Sequence, residues 1–133
     1  METFMATMNM SYDHEAYTVP VGHPIAMAAG SGTTARFTAF ADTIAKALVL
    51  KPTTAGTSAD TVTVYAVTNT TTKTLGVTTI ASGQTTYSRL EFTTGSRTLT
   101  VGDEVRIVKG TDATVVYAGA VECVTTPGAN VTA

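Results

Sequence analysis

Residues 61–68 read TVTVYAVT. Val62, Val64 and Ala66 fall on one face of an extended chain, and Thr61, Thr63 and Tyr65 on the other. Successive side chains of a strand point to opposite faces, so strict alternation of this kind marks a strand half-buried against a core. The flanking sequence repeats the pattern. Thr74–Thr79 sets Leu75 with Val77, and Thr86–Thr93 sets Leu90 and Phe92 against Tyr87, Arg89 and Glu91. Thr98–Val101 sets Leu99 with Val101, and Glu104–Lys109 sets Val105 with Ile107 against Glu104 and Arg106. Ala113–Val124 is the longest run, with Val115, Tyr117, Val121 and Cys123 on one side.

The breaks between these runs carry turn chemistry. They are Thr53–Asp60 (TTAGTSAD), Ala81-Ser82-Gly83, Gly95-Ser96, Gly102-Asp103 and Gly110-Thr111-Asp112. Glycine, aspartate and serine favour turns for separate steric and hydrogen-bonding reasons. Ala35–Leu50 reads in two ways. Phe37, Phe40, Ile44 and Leu48 have the spacing of one helix face, whereas a turn at Asp42-Thr43 divides the stretch into strands Arg36–Ala41 and Ile44–Lys51. The apolar run Ala47–Leu50 before Pro52 favours two strands. About eight strands without crossover helices predict an all-β fold, an antiparallel two-sheet sandwich or jelly roll spanning 34–126.

Composition agrees. Threonine is the most abundant residue, followed by alanine and valine, and β-branched residues suit a pleated surface better than a helix. Charged residues make up only 14% and the net charge is -2. A surface so poor in charge is prone to association. Lys46, Lys51, Lys73, Arg89, Arg97, Arg106 and Lys109 are scattered singly rather than clustered, which argues against direct nucleic-acid binding. The N-terminal METFMATMNMSYDHE has acids where a secretion signal has a basic region and lacks its apolar core, and no stretch has the length of a membrane span. A soluble product made in a cytoplasm, with no membrane partner, is the expectation.

Residues 1–33 differ from the rest. Phe4, Met5, Met8, Met10, Tyr12 and Tyr17 alternate with polar residues, and Pro20 and Pro24 interrupt any helix. Gly30-Ser31-Gly32 reads as a flexible joint, with Gly30 and Gly32 as the hinge. These features predict an extended N-terminal arm, 1–33, whose apolar side chains bind a partner, methionine being suited to irregular grooves. Fully extended, such an arm reaches roughly 100 Å. Residues 127–133 are expected to be a short polar tail.

Catalytic chemistry is sparse. Asp13-His14-Glu15 has metal-ligand residue types but sits in the arm with no cysteine nearby, and His23 before Pro24 reads as a turn residue. Gly30–Thr34 is glycine-rich but lacks the lysine of a phosphate loop. Asp42, Asp60, Asp103, Glu104 and Asp112 all fall in or beside turns, where acids are common. Cys123, the only cysteine, aligns with core residues and is expected to be buried and inert. The expectation is a non-enzymatic protein without cofactor or metal.

Two longer stretches add a resemblance. Leu99–Glu122 (LTVGDEVRIVKGTDATVVYAGAVE) resembles segments of tailed-bacteriophage virion proteins, with a strand, a Gly-Asp turn, a strand, a Gly-Thr-Asp turn and a final strand. Leu50–Thr68 (LKPTTAGTSADTVTVYAVT) is similar to their strand–loop–strand units. The family named by this resemblance is the capsid decoration, or cement, proteins with a jelly-roll-like domain. It implies a homo-oligomer, a trimer, seated on the outer surface of the virion and bound to the major capsid protein, whose neighbouring subunits it clamps. The other reading is a receptor- or carbohydrate-binding module of a head fibre or tail.

Overall fold

A computed structural model describes residues 18–126. Nine strands occur among them: β1 Val19–Met27, β2 Thr34–Thr38, β3 Asp42–Thr54, β4 Asp60–Val67, β5 Thr72–Ile80, β6 Ser88–Glu91, β7 Thr98–Leu99, β8 Glu104–Val108 and β9 Val116–Thr126. A single 3-10 turn, Gly95–Arg97, separates β6 from β7. The fold is all-β, as the alternation requires. The first sheet has the order β1-β9-β3-β6, with β7 also on β3; the second has the order β2-β8-β4-β5. Every pairing is antiparallel. Treating β6 and β7 as one interrupted strand leaves eight, and the chain switches between sheets as a jelly roll does.

The core lies between the sheets. Leu48 and Leu50 of β3, Val62 and Val64 of β4, Val105 and Ile107 of β8, and Val121 and Cys123 of β9 all have no exposed surface. Ala35–Leu50 forms two strands. Phe40 and Ile44, which helical spacing would align with buried Leu48, are 57% and 38% exposed. Phe40 lies in the turn between β2 and β3, and the register steps from Ala45↔Cys123 to Ala47↔Glu122, so a bulge at Lys46 reverses the alternation between Ile44 and Leu48.

Two expectations of facing are corrected by irregularities. Leu75 and Val77 do not share a face: Leu75 is buried, whereas Val77 is exposed. The register steps from Val64↔Gly76 to Tyr65↔Thr74, which leaves Leu75 as a bulge residue and reverses the phase. Leu99 is buried but Val101 is exposed, because the strand ends at Leu99 and Val101 sits in the following turn.

The expected arm boundary also moves. Val19–Met27 is an edge strand paired with β9 along its whole length, from Val19↔Thr125 to Met27↔Tyr117. Ile25 and Met27 belong to the core. Pro20 and Pro24, which read as interruptions, are compatible with this strand because an edge strand can leave alternate N–H positions unpaired. Gly30 and Gly32 are not a free hinge. Both have positive φ, 124° and 70°, in a turn fixed to the β8–β9 loop. The Gly30 N–H donates to the Ala113 carbonyl at 3.1 Å and the Gly32 N–H to the Gly110 carbonyl at 2.9 Å.

Candidate functional site

Phe4, Met5, Met8, Met10, Tyr12 and Tyr17, together with Asp13-His14-Glu15 and the 127–133 tail, lie outside the described residues. What the structure defines is where the chain joins those segments. Val19 pairs with Thr125 and Asp42 with Thr126, so the described chain enters and leaves side by side at one end of the sandwich, its base.

Two large apolar side chains stand exposed at the base. Phe40 tips the β2–β3 turn at 57% exposure, and Val101 tips the β7–β8 turn at 52%. The two turns are bonded together: the Ala39 N–H donates to the Asp103 carbonyl at 2.7 Å and the Gly102 N–H to the Ala39 carbonyl at 2.9 Å. Asp103 secures the second turn further, accepting from the Thr100 N–H at 3.0 Å. Two recesses flank these tips. One, of about 370 Å³, lies between Asn69 and Val101 with Glu104 in its wall. The other, of about 250 Å³, lies between Ile44, Leu99 and Val124, bordered by Thr18 and Thr126. Sequence reading missed this site because Phe40 and Val101 each fit an inward-facing strand position. The signal available was that each adjoins a turn, one before Ala41-Asp42 and one before Gly102-Asp103.

At the opposite end, two of the acids read as turn residues are buried. Asp60 is 1% exposed and Asp112 3%. The Tyr117 hydroxyl donates to Asp60 Oδ2 at 2.7 Å, and the Asp112 N–H to Asp60 Oδ1 at 3.2 Å. Lys109 Nζ donates to the Val115 carbonyl at 2.7 Å and stands 5.8 Å from the centroid of the Tyr117 ring. Asp60 starts a strand of the second sheet and Tyr117 lies in the first, so this plug ties the sheets together. Asp112 accepts from the backbone N–H groups of Ser58, Thr114 and Val115 and from the Ser58 hydroxyl. Those donors, the Ser58 N–H foremost, hold its carboxyl at about 2, below the ordinary 3.8. Burial, reinforced by the bond to Asp60, drives the Tyr117 hydroxyl well above its usual pKa. These groups hold loops and sheets in place.

His23 lies in β1 rather than in a turn. Its ring stacks on Phe37 at 4.0 Å and 7°, closing the gap between the edge strands β1 and β2, and burial lowers its pKa. Cys123 is fully buried, and burial, with a smaller contribution from Glu122, pushes its thiol up to about 11. Among the described residues no three His, Cys, Asp or Glu side chains are grouped to hold a metal ion, and no helix is long and apolar enough to cross a membrane.

The sequence matches no protein-family model and no curated protein. Two solved structures are similar in part. One is the catalytic domain of a GH87 alpha-1,3-glucanase in complex with nigerose, at 13% identity and a TM-score of 0.41, covering 84% of this chain and 27% of that one. The other holds the CBM22-1 and GH10 modules of Clostridium thermocellum endo-1,4-beta-D-xylanase 10B with xylohexaose, at 11% identity and a TM-score of 0.41, covering 81% and 24%. The present chain thus spans about a quarter of each. At such values the likeness defines neither ligand nor activity.

Proposed function

We propose that this chain is a non-enzymatic structural protein that stands on the outer surface of a phage capsid and stabilises the shell, with its base as the foot. The observation that carries this reading is the base itself. Apolar tips, two recesses and the junctions to residues 1–17 and 127–133 all meet at one end. A rigid end of this kind gives the apolar residues Phe4, Met5, Met8, Met10, Tyr12 and Tyr17 a common point of departure, so the N-terminal segment and the sandwich bind one surface together. Linked contacts act at high effective concentration, which makes several weak ones a firm clamp. The partner is the major capsid protein, and the trimer implied by the resemblance multiplies the effect. The low charge content, 14%, suits a protein that spends its life against another. The segments that carry the resemblance form β7–β8–β9 and β3–β4, so they supply the Val101 turn and part of the base.

The test adds three proteins to shells lacking the decoration: the full chain, a deletion of residues 1–17, and F40S/V101S. Occupancy and the temperature of DNA release are measured. Both variants are expected to fold, because neither touches β1–β9 or the buried core of residues 18–126, and to decorate at least about tenfold more weakly, since buried apolar anchors contribute roughly 2 kcal/mol each. Decoration by both variants equal to that of the full chain overturns the reading.

A further inference from the structure

The outer face of the second sheet carries an arrangement that the capsid reading does not use. Register places Arg36, Arg106, Tyr65 and Thr74 in one row across β2, β8, β4 and β5. At the usual strand spacing this row is roughly 14 Å long. Arg36 and Arg106 are direct cross-strand partners, a placement that repels unless an anion stands between them. Glu104, in the adjoining row, supplies one. Its carboxylate lies 3.3 Å from Arg36 Nε and 3.3 Å from Arg106 Nη2. Two guanidinium groups share one carboxylate, so the row keeps a positive charge on a chain whose net charge is -2. The adjoining rows are Thr34–Val108–Thr63–Val77 and Thr38–Glu104–Val67–Thr72, in which Glu104 is the sole acid. Glu104 is largely covered, with 18% of its side chain exposed, while Arg36 at 59% and Arg106 at 31% face outward.

We infer that this face binds an acidic polysaccharide, a chain containing uronic acid residues. A guanidinium takes a carboxylate through two parallel hydrogen bonds. Half-buried Tyr65, next to Arg106 in the row, offers an aromatic surface to a sugar ring, and Thr34, Thr38, Thr63 and Thr74 offer hydroxyls to its hydroxyl groups. An acidic peptide fits this face less well. Peptides are held by an open sheet edge or by an apolar groove, whereas Arg106 and Tyr65 lie on the two central strands, paired on both sides. The Arg36–Arg106–Tyr65–Thr74 row lies on a flank of the sandwich and borders the base at Glu104. It acts independently of the capsid reading, and the test uses the isolated full chain.

Oligogalacturonate, a neutral galactose oligomer and poly-glutamate are titrated into the protein by calorimetry. Saturable binding is expected for oligogalacturonate alone, weakening as salt rises. R36Q/R106Q is expected to weaken it about tenfold or more, as the loss of charged hydrogen bonds dictates. R106K, which keeps the charge but not the two-pronged geometry, and Y65A weaken it several-fold, while R89Q on the opposite sheet leaves it unchanged. Circular dichroism confirms that each variant retains its strands. Absence of oligogalacturonate binding, equal binding of poly-glutamate or of the neutral oligomer, or undiminished binding by folded R36Q/R106Q overturns the inference.

Discussion

Tyr117→Phe isolates one bond of the buried plug. The ring is kept, so packing around it and the contact with Lys109 persist, and only the hydroxyl is lost. That hydroxyl donates to Asp60 Oδ2 at 2.7 Å, at a site where Tyr117 and Asp60 are each 1% exposed. Its removal strands a carboxyl oxygen away from water, and a hydrogen bond to such a group is worth about 2 to 3 kcal/mol. With a urea m value of about 2 kcal/mol/M, the unfolding midpoint falls by roughly 1 M; in a thermal melt the fall is about 10 °C. A double-mutant cycle assigns the loss. Asp60→Ala alone and Tyr117→Phe alone each remove the bond, so the double variant should be more stable than the sum of the singles allows, by about 1 kcal/mol or more. A midpoint unchanged by Tyr117→Phe, or strictly additive losses, refutes the claim that this bond ties the two sheets.

Acid should loosen the loops that Asp112 holds. Its folded-state carboxyl takes up a proton near pH 2, the unfolded one near 3.8; between these values unfolding binds a proton, so stability falls as pH falls. Urea midpoints followed from about pH 5 to pH 2 should show that fall, and Asp112→Asn should flatten this part of it while lowering stability at neutral pH; an unchanged acid slope in the variant contradicts the assignment. Cys123, fully buried with its thiol pushed up to about 11, should resist thiol reagents in the native protein at neutral pH. Cys123→Ser should cost about 1 to 2 kcal/mol from its buried hydroxyl, and rapid labelling without unfolding would show the site to be open.

The strand content was legible in the sequence because alternation is a local property. Val62, Val64 and Ala66, or Val115, Tyr117, Val121 and Cys123, lie inward because each is an even number of residues from the next, and all are buried. The choice of two strands over a helix for 35–50 rested on a different local feature, the continuous apolar run Ala47–Leu50 before Pro52. Legibility failed where a strand departed from strict alternation. Leu75 is an extra residue in its strand, so Val77 points outward; a bulge depends on the partner strand, which the local sequence does not name. The VPVGHPIAM segment alternates too, yet its prolines read as breaks, because only sheet position tells an edge strand from a central one.

What the sequence determined by itself was therefore the class of the fold, the low charge, and the inward set of most strands. The tertiary structure decided which strands became neighbours, and with that every feature assigned a role above. Asp60 and Tyr117 are 57 positions apart, and Arg36 meets Arg106 only because β2 lies beside β8. Phe40 and Val101 share a base because the turn at Ala39 bonds to the turn at Gly102. Side-chain direction follows from the period of the backbone, which neighbouring residues fix. Side-chain company follows from long-range sheet pairing, which is chosen only when the whole core closes.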